Sequence, residues 1–458
     1  MERPRLYRDQ VHGQVRLARS RTVAHTDSEQ DLGYLVHRIR ELPAFQRLRS
    51  IRQNGLTNFV FACAEHSRFV HSIGVFELAR RMYDKITENS GIEPDSWTRT
   101  IVCLAGLLHD MGHGPFSHTL EESLTTREGK PFKHERLTIR FLEEYQPLTS
   151  ILREFDNQAP ALTAAYISDS KPDSDHWTYR IISSQLDADR IDYMLRDASM
   201  AGIQGHGFDL ERLLDMLTVH ETVRIAVDES ALEALEAYLL MNIHLYRIMY
   251  YHKGVRGANR LLISLIRRSF DLLREQDERH LRGLPKTFKS ALKAFLAEGS
   301  NIDLNLYSCL GEHQFWTAFN EWQTAADGIL SDLARRMCSR KPFRATDSDK
   351  SATDLMSIIE AVQEPAAKSL KVTVKDLRRY YLLLDEPTRV GYSPHRFEVG
   401  KTKADKAIWF RPHSGNCRPI EELHDNEVIK AMLREYHFKR IVYPRECEDI
   451  VRNEIDNT

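Results

Sequence analysis

The apolar positions between Thr100 and Leu108 leave almost no polar face. Ile101, Val102, Leu104, Ala105, Leu107 and Leu108 nearly encircle a helix, which predicts one buried on all sides. Its end carries an adjacent imidazole and carboxylate, His109 and Asp110, into or beside the core, where a carboxylate needs a partner. Gly112, Gly114 and Pro115 then break the helix, and two more histidines, His113 and His118, follow at once. Upstream, Val75, Phe76, Ala79, Met82, Tyr83 and Ile86 recur at helical spacing behind the segment His66-Ser-Arg68-Phe-Val-His71. Downstream, the stretch 186–198 reads as a helix. Asp189, Tyr193, Arg196 and Asp197 share its polar face, and Ile191, Met194, Leu195 and Ala198 point into packing.

The flanking pattern is also mostly helical. Residues 7–17 alternate and suit a β-hairpin or edge strand, the polar stretch 20–31 reads as a loop, and 35–51 reads as a helix with Pro43 at a first turn. From Arg68 to about Ile266 strand-like stretches are few. A glycine-rich turn at 201–207 leads into a helix, 219–227 alternates as a short hairpin, and a long helix runs from Glu229 to about Tyr251. Helical spacing continues to about Met337. The polar, basic stretch 339–354 reads as an exposed loop, 371–384 as helix, and 385–407 is rich in Pro, Gly, Lys and Arg. The tail carries strand signals at 407–410 and 439–443 around a helix expected from about 420 to 436. This divides the chain into an N-terminal hairpin and loop (1–34), a helical core (35–275) and a C-terminal lobe (276–458).

Composition narrows the class. A chain of 458 residues buries a large core, and a net charge of −2 with 28% charged residues describes an ordinary protein of aqueous compartments with no global basic excess. The six cysteines, at 63, 103, 309, 338, 417 and 447, show no CxxC or zinc-finger spacing and read as reduced thiols. The N-terminus has no apolar run, and no stretch is long enough to cross a bilayer, so a cytoplasmic protein is expected.

The chemistry lies in the three core helices. One imidazole (His71), a His–Asp pair (His109, Asp110) and one aspartate (Asp189) fall on separate helices in the order H…HD…D. With these motifs the chain resembles the HD-domain phosphohydrolases, and within them the dNTP triphosphohydrolases, over about residues 7–255. The fold expected is mainly α: as the resemblance implies, an HD-domain helical core, with a smaller mixed α/β C-terminal lobe. The resemblance implies that His71, His109, Asp110 and Asp189 hold one divalent transition metal. Such a mixed N/O set suits Fe, Mn, Ni, Co or Zn rather than a thiolate-preferring ion, while Mg would accompany substrate phosphates. A metal of this kind lowers the pKa of bound water and polarises phosphorus–oxygen bonds.

The remaining roles come from the same resemblance. His118 and Glu121 are three apart at a helix start, so the carboxylate can bond the ring and keep it protonated. The family match makes His118 the general acid, gives His113 charge on the α-phosphate and gives His134 a phosphate contact, although singly each reads as an ordinary histidine. Arg68, Arg190, Tyr193 and Lys253 match phosphate-holding positions, and Arg190 stands where some members carry lysine. Gln53 and Tyr250 match residues at the sugar, and Asp197 completes the substrate set. Asn54 departs from the family's usual apolar residue, and Asn242 stands where some members have a phosphate-gripping arginine, leaving that contact to Arg247 or another residue. Asp9, Val11 and His12, with Gln46 and Arg49, fall on the segments that hold an activating nucleotide at a subunit interface. The activity implied is hydrolysis of a deoxynucleoside triphosphate to deoxynucleoside and triphosphate by a homodimer or homotetramer.

Two other readings stand beside it. The same ligands would serve an HD phosphodiesterase or nuclease acting on cyclic nucleotides or single-stranded nucleic acid, against which Gln53, Tyr250 and Arg68 weigh. The basic run Arg335–Arg344 is either a solvated face or a track for a nucleic-acid backbone. A nucleotide-binding regulator without turnover would have no need of the metal ligands or of His118.

Overall fold

Three helices meet where the sequence pattern places its chemistry. The computed structural model describes residues 5–17, 28–124, 132–168, 176–205, 207–390, 407–423 and 425–457. The helix Arg68–Ser90 packs along the apolar helix Ser96–Leu108, of which every residue from Arg99 to Leu108 is buried, and the helix Ala188–Ala201 lies across it. Local chemistry sets two of these starts. Asp95 accepts hydrogen bonds from the backbone N–H groups of Trp97 and Thr98, and Asp187 from that of Arg190, each satisfying donors that a helix start leaves open. At the N-terminus, Arg5–Asp9 and Gly13–Leu17 form an antiparallel hairpin, with Val15 and Leu17 buried beside the helix Ser28–Glu41.

The C-terminal half is joined to this core rather than set apart from it. Phe116, fully buried beside the catalytic histidines expected above, stacks on Phe319 at 6.0 Å and meets Phe315 edge-on at 5.7 Å, both from the helix Glu312–Trp322. The hairpin Leu217–His220/Arg224–Asp228 extends into a four-stranded sheet, because Trp409–Arg411 adds in parallel with Ala226 opposite Trp409, and Arg418–Pro419 follows. A second sheet pairs Arg440–Tyr443 with Arg344–Asp347 and Leu383–Asp385. The fold is mainly helical with small sheets, as the periodicity predicts. None of the six cysteines is in a disulfide. Among the described residues no helix is long and apolar enough to cross a membrane.

Several element boundaries differ from the sequence reading. The helix expected over 35–51 begins at Ser28 and ends at Glu41, and then a short helix Pro43–Gln46 and a 3₁₀ turn Arg47–Ser50 follow. Pro43 forces Leu42 into an extended conformation, with ψ at 134°, so one helix cannot pass through. The part of the expected 20–31 loop before Ser28 lies outside the described residues, as do His206 and most of 385–407. The expected loop 339–354 contains the strand Arg344–Asp347 beside buried Phe343, and a helix not anticipated, Ala352–Leu370, begins before it ends. The helix of 371–384 is only Val374–Tyr380, after which Leu383–Asp385 turns to strand, and that of 420–436 shortens to Glu427–Met432 before the strand Glu435–His437. At 344–347, 383–385 and 435–437 strand pairing with a distant partner decided the outcome, which local periodicity does not register. The long helix from Glu229 is α-helical over Leu232–Leu245 and closes in a π turn, Tyr246–Tyr250.

Because the Phe116–Phe319 contact joins the two halves, Phe319→Ala should cost about 3–5 kcal/mol of stability. Urea unfolding measures this, and a loss below about 1 kcal/mol would show that the ring is not packed as described.

Candidate active site

Four ligand atoms converge where the three core helices meet. His71 Nε2 lies 3.0 Å from Asp189 Oδ1 and 3.7 Å from Asp110 Oδ2, while His109 Nε2 lies 3.3 Å from Asp110 Oδ1 and 3.6 Å from Asp189 Oδ1. The other ring nitrogens are already committed. His71 Nδ1 is 2.7 Å from Asp192 Oδ2, and His109 Nδ1 is 2.8 Å from the Gly106 carbonyl at the end of its own helix. Each Nδ1 is therefore committed to an acceptor, and Nε2 is the ring atom that each histidine turns toward the centre. Among the described residues His109 Nε2 is buried with no hydrogen-bond partner, an open atom that a metal would use. Burial alone would lower the pKa of His71, but Asp189, Asp192 and Asp110 together raise it to about 10. Desolvation raises the carboxyl of Asp110, yet Arg68, His109 and His71 overcome it and hold this group well below the usual carboxylate range. A field that favours a proton so strongly also favours a divalent cation, and the N/O donor set fits one. Asp110 is shared, because Arg68 Nη1 also donates to its Oδ2.

A second group lies beside the first. His113 stacks on His134 with ring centroids 3.5 Å apart, and Glu121 accepts from His134 Nδ1 at 2.6 Å and from His118 Nδ1 at 3.3 Å. Burial, then the charges of Arg68, His134 and His118, pushes His113 well below its ordinary pKa, so it is neutral. Burial would raise Glu121, but the hydrogen bonds from His118 and His134 bring it down to about 2. The His118 side chain is 72% exposed, at the mouth of the group. The chain reaches it through Phe116 and Ser117, both at positive φ (61° and 54°), a costly backbone for residues with a Cβ. Ser117 Oγ ties down this turn by donating to the Arg52 carbonyl and accepting from Arg68 Nε, at 2.9 and 2.8 Å. Gly112 explains how His134 comes so near, since a Cβ there would lie 2.3 Å from the His134 carbonyl.

The expected substrate residues fall into two sets. Gln53 and Asn54 each leave a buried polar atom open: Gln53 Oε1 and Asn54 Nδ2 have no hydrogen-bond partner among the described residues. Tyr250 Oη donates to Asp197 Oδ2, whose other oxygen meets His66 Nε2 at 2.7 Å, and Tyr193 meets the Tyr250 ring edge-on at 6.4 Å. Burial and the neighbouring Asp197 carboxylate raise Tyr250 well above the ordinary phenol range, so it stays a donor. The cations are more committed than expected. Arg68 donates to Asp110, Ser117 and the Gln53 carbonyl, and Arg190 Nε donates to the Ser184 carbonyl at 3.0 Å. Lys253 is exposed at the edge of a basic cavity of about 630 Å³ lined also by His252, Arg336, Arg340, Arg344 and Arg452. Within that basic run Arg336 pairs with Asp332 and Glu446, and Arg340 lies 4.6 Å from the Phe59 ring centroid, so part of it is structural. Asn242 is buried, and exposed Arg247 lies 5.7 Å from the Tyr436 ring centroid.

The expected regulatory residues divide as well. Gln46 donates to the Arg40 carbonyl and accepts from Arg49 Nε, and Arg49 lies over the Phe69 ring. Asp9 and His12 turn inward: Asp9 accepts from the backbone of Val11 and His12, and His12 Nε2 lies 2.7 Å from Asp192 Oδ1. Sequence reasoning singled out neither Asp192 nor Arg47. Asp192 stands three residues after Asp189 and four before Arg196, and that spacing was the available signal. Arg47 donates to the carbonyls of Met111 and His113, both at 2.9 Å, while Tyr307 donates to that of Gly112, so the loop after Asp110 is held by its backbone. No sequence signal pointed to these pairings, which join residues 64, 66 and 195 positions apart.

Comparison with known proteins bears on this geometry. Residues 68–173 match the HD domain, the segment bearing His71, His109 and Asp110. Protein YwfO of Bacillus subtilis is 32% identical over 85% of this chain and 81% of its own length. The deoxynucleoside triphosphate triphosphohydrolase SAMHD1 homolog of Dictyostelium discoideum is 31% identical over 64% of this chain and 59% of its own. The solved structure of a phosphohydrolase from Bacteroides thetaiotaomicron shares the fold, with a TM-score of 0.78 over 96% of this chain and all of that one at 24% identity.

Glu121 gives the site a testable pH signature. A carboxyl depressed from its usual 4.5 to about 2 stabilises the fold above pH 4.5, and that stability is lost as pH falls toward 2. The stability gap between wild type and Glu121→Gln, on the order of 3 kcal/mol at neutral pH, should therefore narrow steadily below pH 4.5 in denaturant titrations. A gap independent of pH would mean that Glu121 is not held by its histidines.

Proposed function

This chain belongs to the HD-domain phosphohydrolase family, and we propose that it hydrolyses deoxynucleoside triphosphates to deoxynucleoside and triphosphate. The observation that carries the hydrolytic reading is the convergence of His71, His109, Asp110 and Asp189, with His109 Nε2 buried and lacking a hydrogen bond among the described residues. Those four residues would hold a divalent transition metal, which supplies Lewis acidity toward a phosphoryl oxygen and acidifies bound water.

The chain's own residues do the rest. Neutral His113 donates a hydrogen bond to the α-phosphate without adding charge, and His134 contacts the phosphates from the opposite face of the stacked pair. Glu121, anionic at neutral pH, orients His118, whose exposed ring hands a proton to the departing 5′-oxygen. Arg68, Arg190, Tyr193 and Lys253 take the phosphates. The open polar atoms of Gln53 and Asn54, with Tyr250 and Asp197, meet the sugar, whose hydroxyls can satisfy both a donor and an acceptor. The name of the Dictyostelium relative supports the substrate class. The same reading includes an activating nucleotide met by Val11, Gln46 and Arg49, a homodimer or homotetramer, and a cytoplasmic location.

The test is incubation of the metal-loaded protein with each dNTP and NTP, singly and in pairs, with products separated by anion exchange. Triphosphate plus deoxynucleoside is expected, with turnover in mixtures alone if a nucleotide activates. Monophosphate products, or cleavage of single-stranded DNA without dNTP turnover, would overturn it in favour of a phosphodiesterase. His118→Ala should lower kcat by about 100- to 10,000-fold while nucleotide still binds. Unchanged kcat would remove His118 from the chemistry. Asp189→Ala should lose the metal, read by elemental analysis.

A further inference from the structure

The turn of the N-terminal hairpin exposes Gln10 and Gly13 but sends the side chains of Asp9 and His12 inward. His12 ends on the carboxylate behind His71. Asp192 is completely buried and receives four hydrogen bonds from three separate segments. His71 Nδ1 and Arg196 Nε reach its Oδ2 at 2.7 and 2.9 Å. Arg196 Nη2 and His12 Nε2 reach its Oδ1 at 2.8 and 2.7 Å. Four acceptor positions are all that a carboxylate offers, so Asp192 has no freedom left. The turn is bound a second time, because Arg196 Nη1 donates to Asp9 Oδ2 at 2.9 Å while Asp9 Oδ1 takes the backbone N–H groups of Val11 and His12. The side chains of His12, Asp9 and Arg196 are 0%, 6% and 3% exposed. Gly74, three residues past His71, leaves the space for this, since a Cβ there would stand 2.0 Å from Asp192 Oδ1 and 2.3 Å from Arg196 Nη2.

We propose that this hairpin turn is a working part of the metal centre: His12 and Asp9 fix Asp192, which fixes His71, so hairpin docking and metal binding stabilise each other. The inference rests on the metal reading above and adds the residues that orient a ligand from outside the ligand set. Partners of a ligating histidine set its tautomer and the aim of its free nitrogen, and their loss costs metal affinity even though the ligands remain. Here the partner is itself aimed by a segment about sixty residues upstream of His71 in sequence. His12 and Asp9 are positioning residues. Linkage requires the converse as well: an ion that favours the aimed His71 must favour the docked hairpin by the same factor. A hairpin that moved away, whatever moves it, would loosen the ion.

The experiment uses the full-length apo protein titrated with Mn²⁺, with free ion followed by electron paramagnetic resonance. His12→Ala should weaken binding by about 10- to 100-fold, and His12→Gln, whose amide N–H can still reach Asp192, should recover most of it. Hydrogen–deuterium exchange over residues 5–17 needs no variant at the hairpin. It should slow when Mn²⁺ is added to wild type and stay unchanged in Asp189→Ala. Wild-type affinity in His12→Ala, together with hairpin exchange indifferent to Mn²⁺, would overturn the coupling and leave the metal centre standing. Failure of wild type to bind Mn²⁺, Fe²⁺ or Co²⁺ would overturn the metal reading, and this inference with it.

Discussion

Three carboxylates buried or half-buried within one helix junction are the constraint on which this structure turns. Asp110, Asp189 and Asp192 would repel one another and lose hydration unless each were surrounded by donors. Asp192 answers with four hydrogen bonds, from His71, His12 and both arms of Arg196. Asp110 answers with Arg68 and the approach of His109 and His71. Asp189, half-exposed, has the two imidazoles. What remains is a concentrated negative field with the Nε2 atoms of two histidines turned into it. That mixed N/O donor set suits a divalent cation.

The same need for compensation explains why distant parts of the chain are recruited. The loop after Asp110 exposes carbonyls to a dry interior, and Arg47 and Tyr307 satisfy three of them. The strained Phe116–Ser117 turn, which delivers His118, is held by Phe315 and Phe319 on one side and by Arg52 and Arg68 on the other. Strain of this kind persists only where surrounding contacts over-determine it. The C-terminal half thus acts as the buttress of the site, and Glu312, which accepts from the Arg52 backbone N–H at 2.8 Å, continues that support.

The two clusters also divide their electrostatic work. Around His71 burial is outweighed by carboxylates, and the imidazole is pushed up to about 10. Around His113 burial is reinforced by neighbouring cationic groups, and the imidazole is pushed well down. Neighbouring histidines are thereby given opposite protonation preferences by the charges around them.

Much of this was legible in the sequence. The all-round apolar helix, the H…HD…D order and the Glu121 spacing are properties of short segments, and helical periodicity translates them directly into position. The hairpin was legible for the same reason. The C-terminal boundaries were not, because Arg344–Asp347 and Trp409–Arg411 become strands through partners far away in sequence. Nor was the inward turn of His12 and Asp9, or the part played by Asp192, Arg47 and Tyr307. Sequence by itself determined that the three core helices form and which polar side chains each one carries, since both depend on residues a few positions apart. Only the tertiary structure decided which buried donors face which buried charges. Satisfying a carboxylate out of water requires groups brought together from the whole chain.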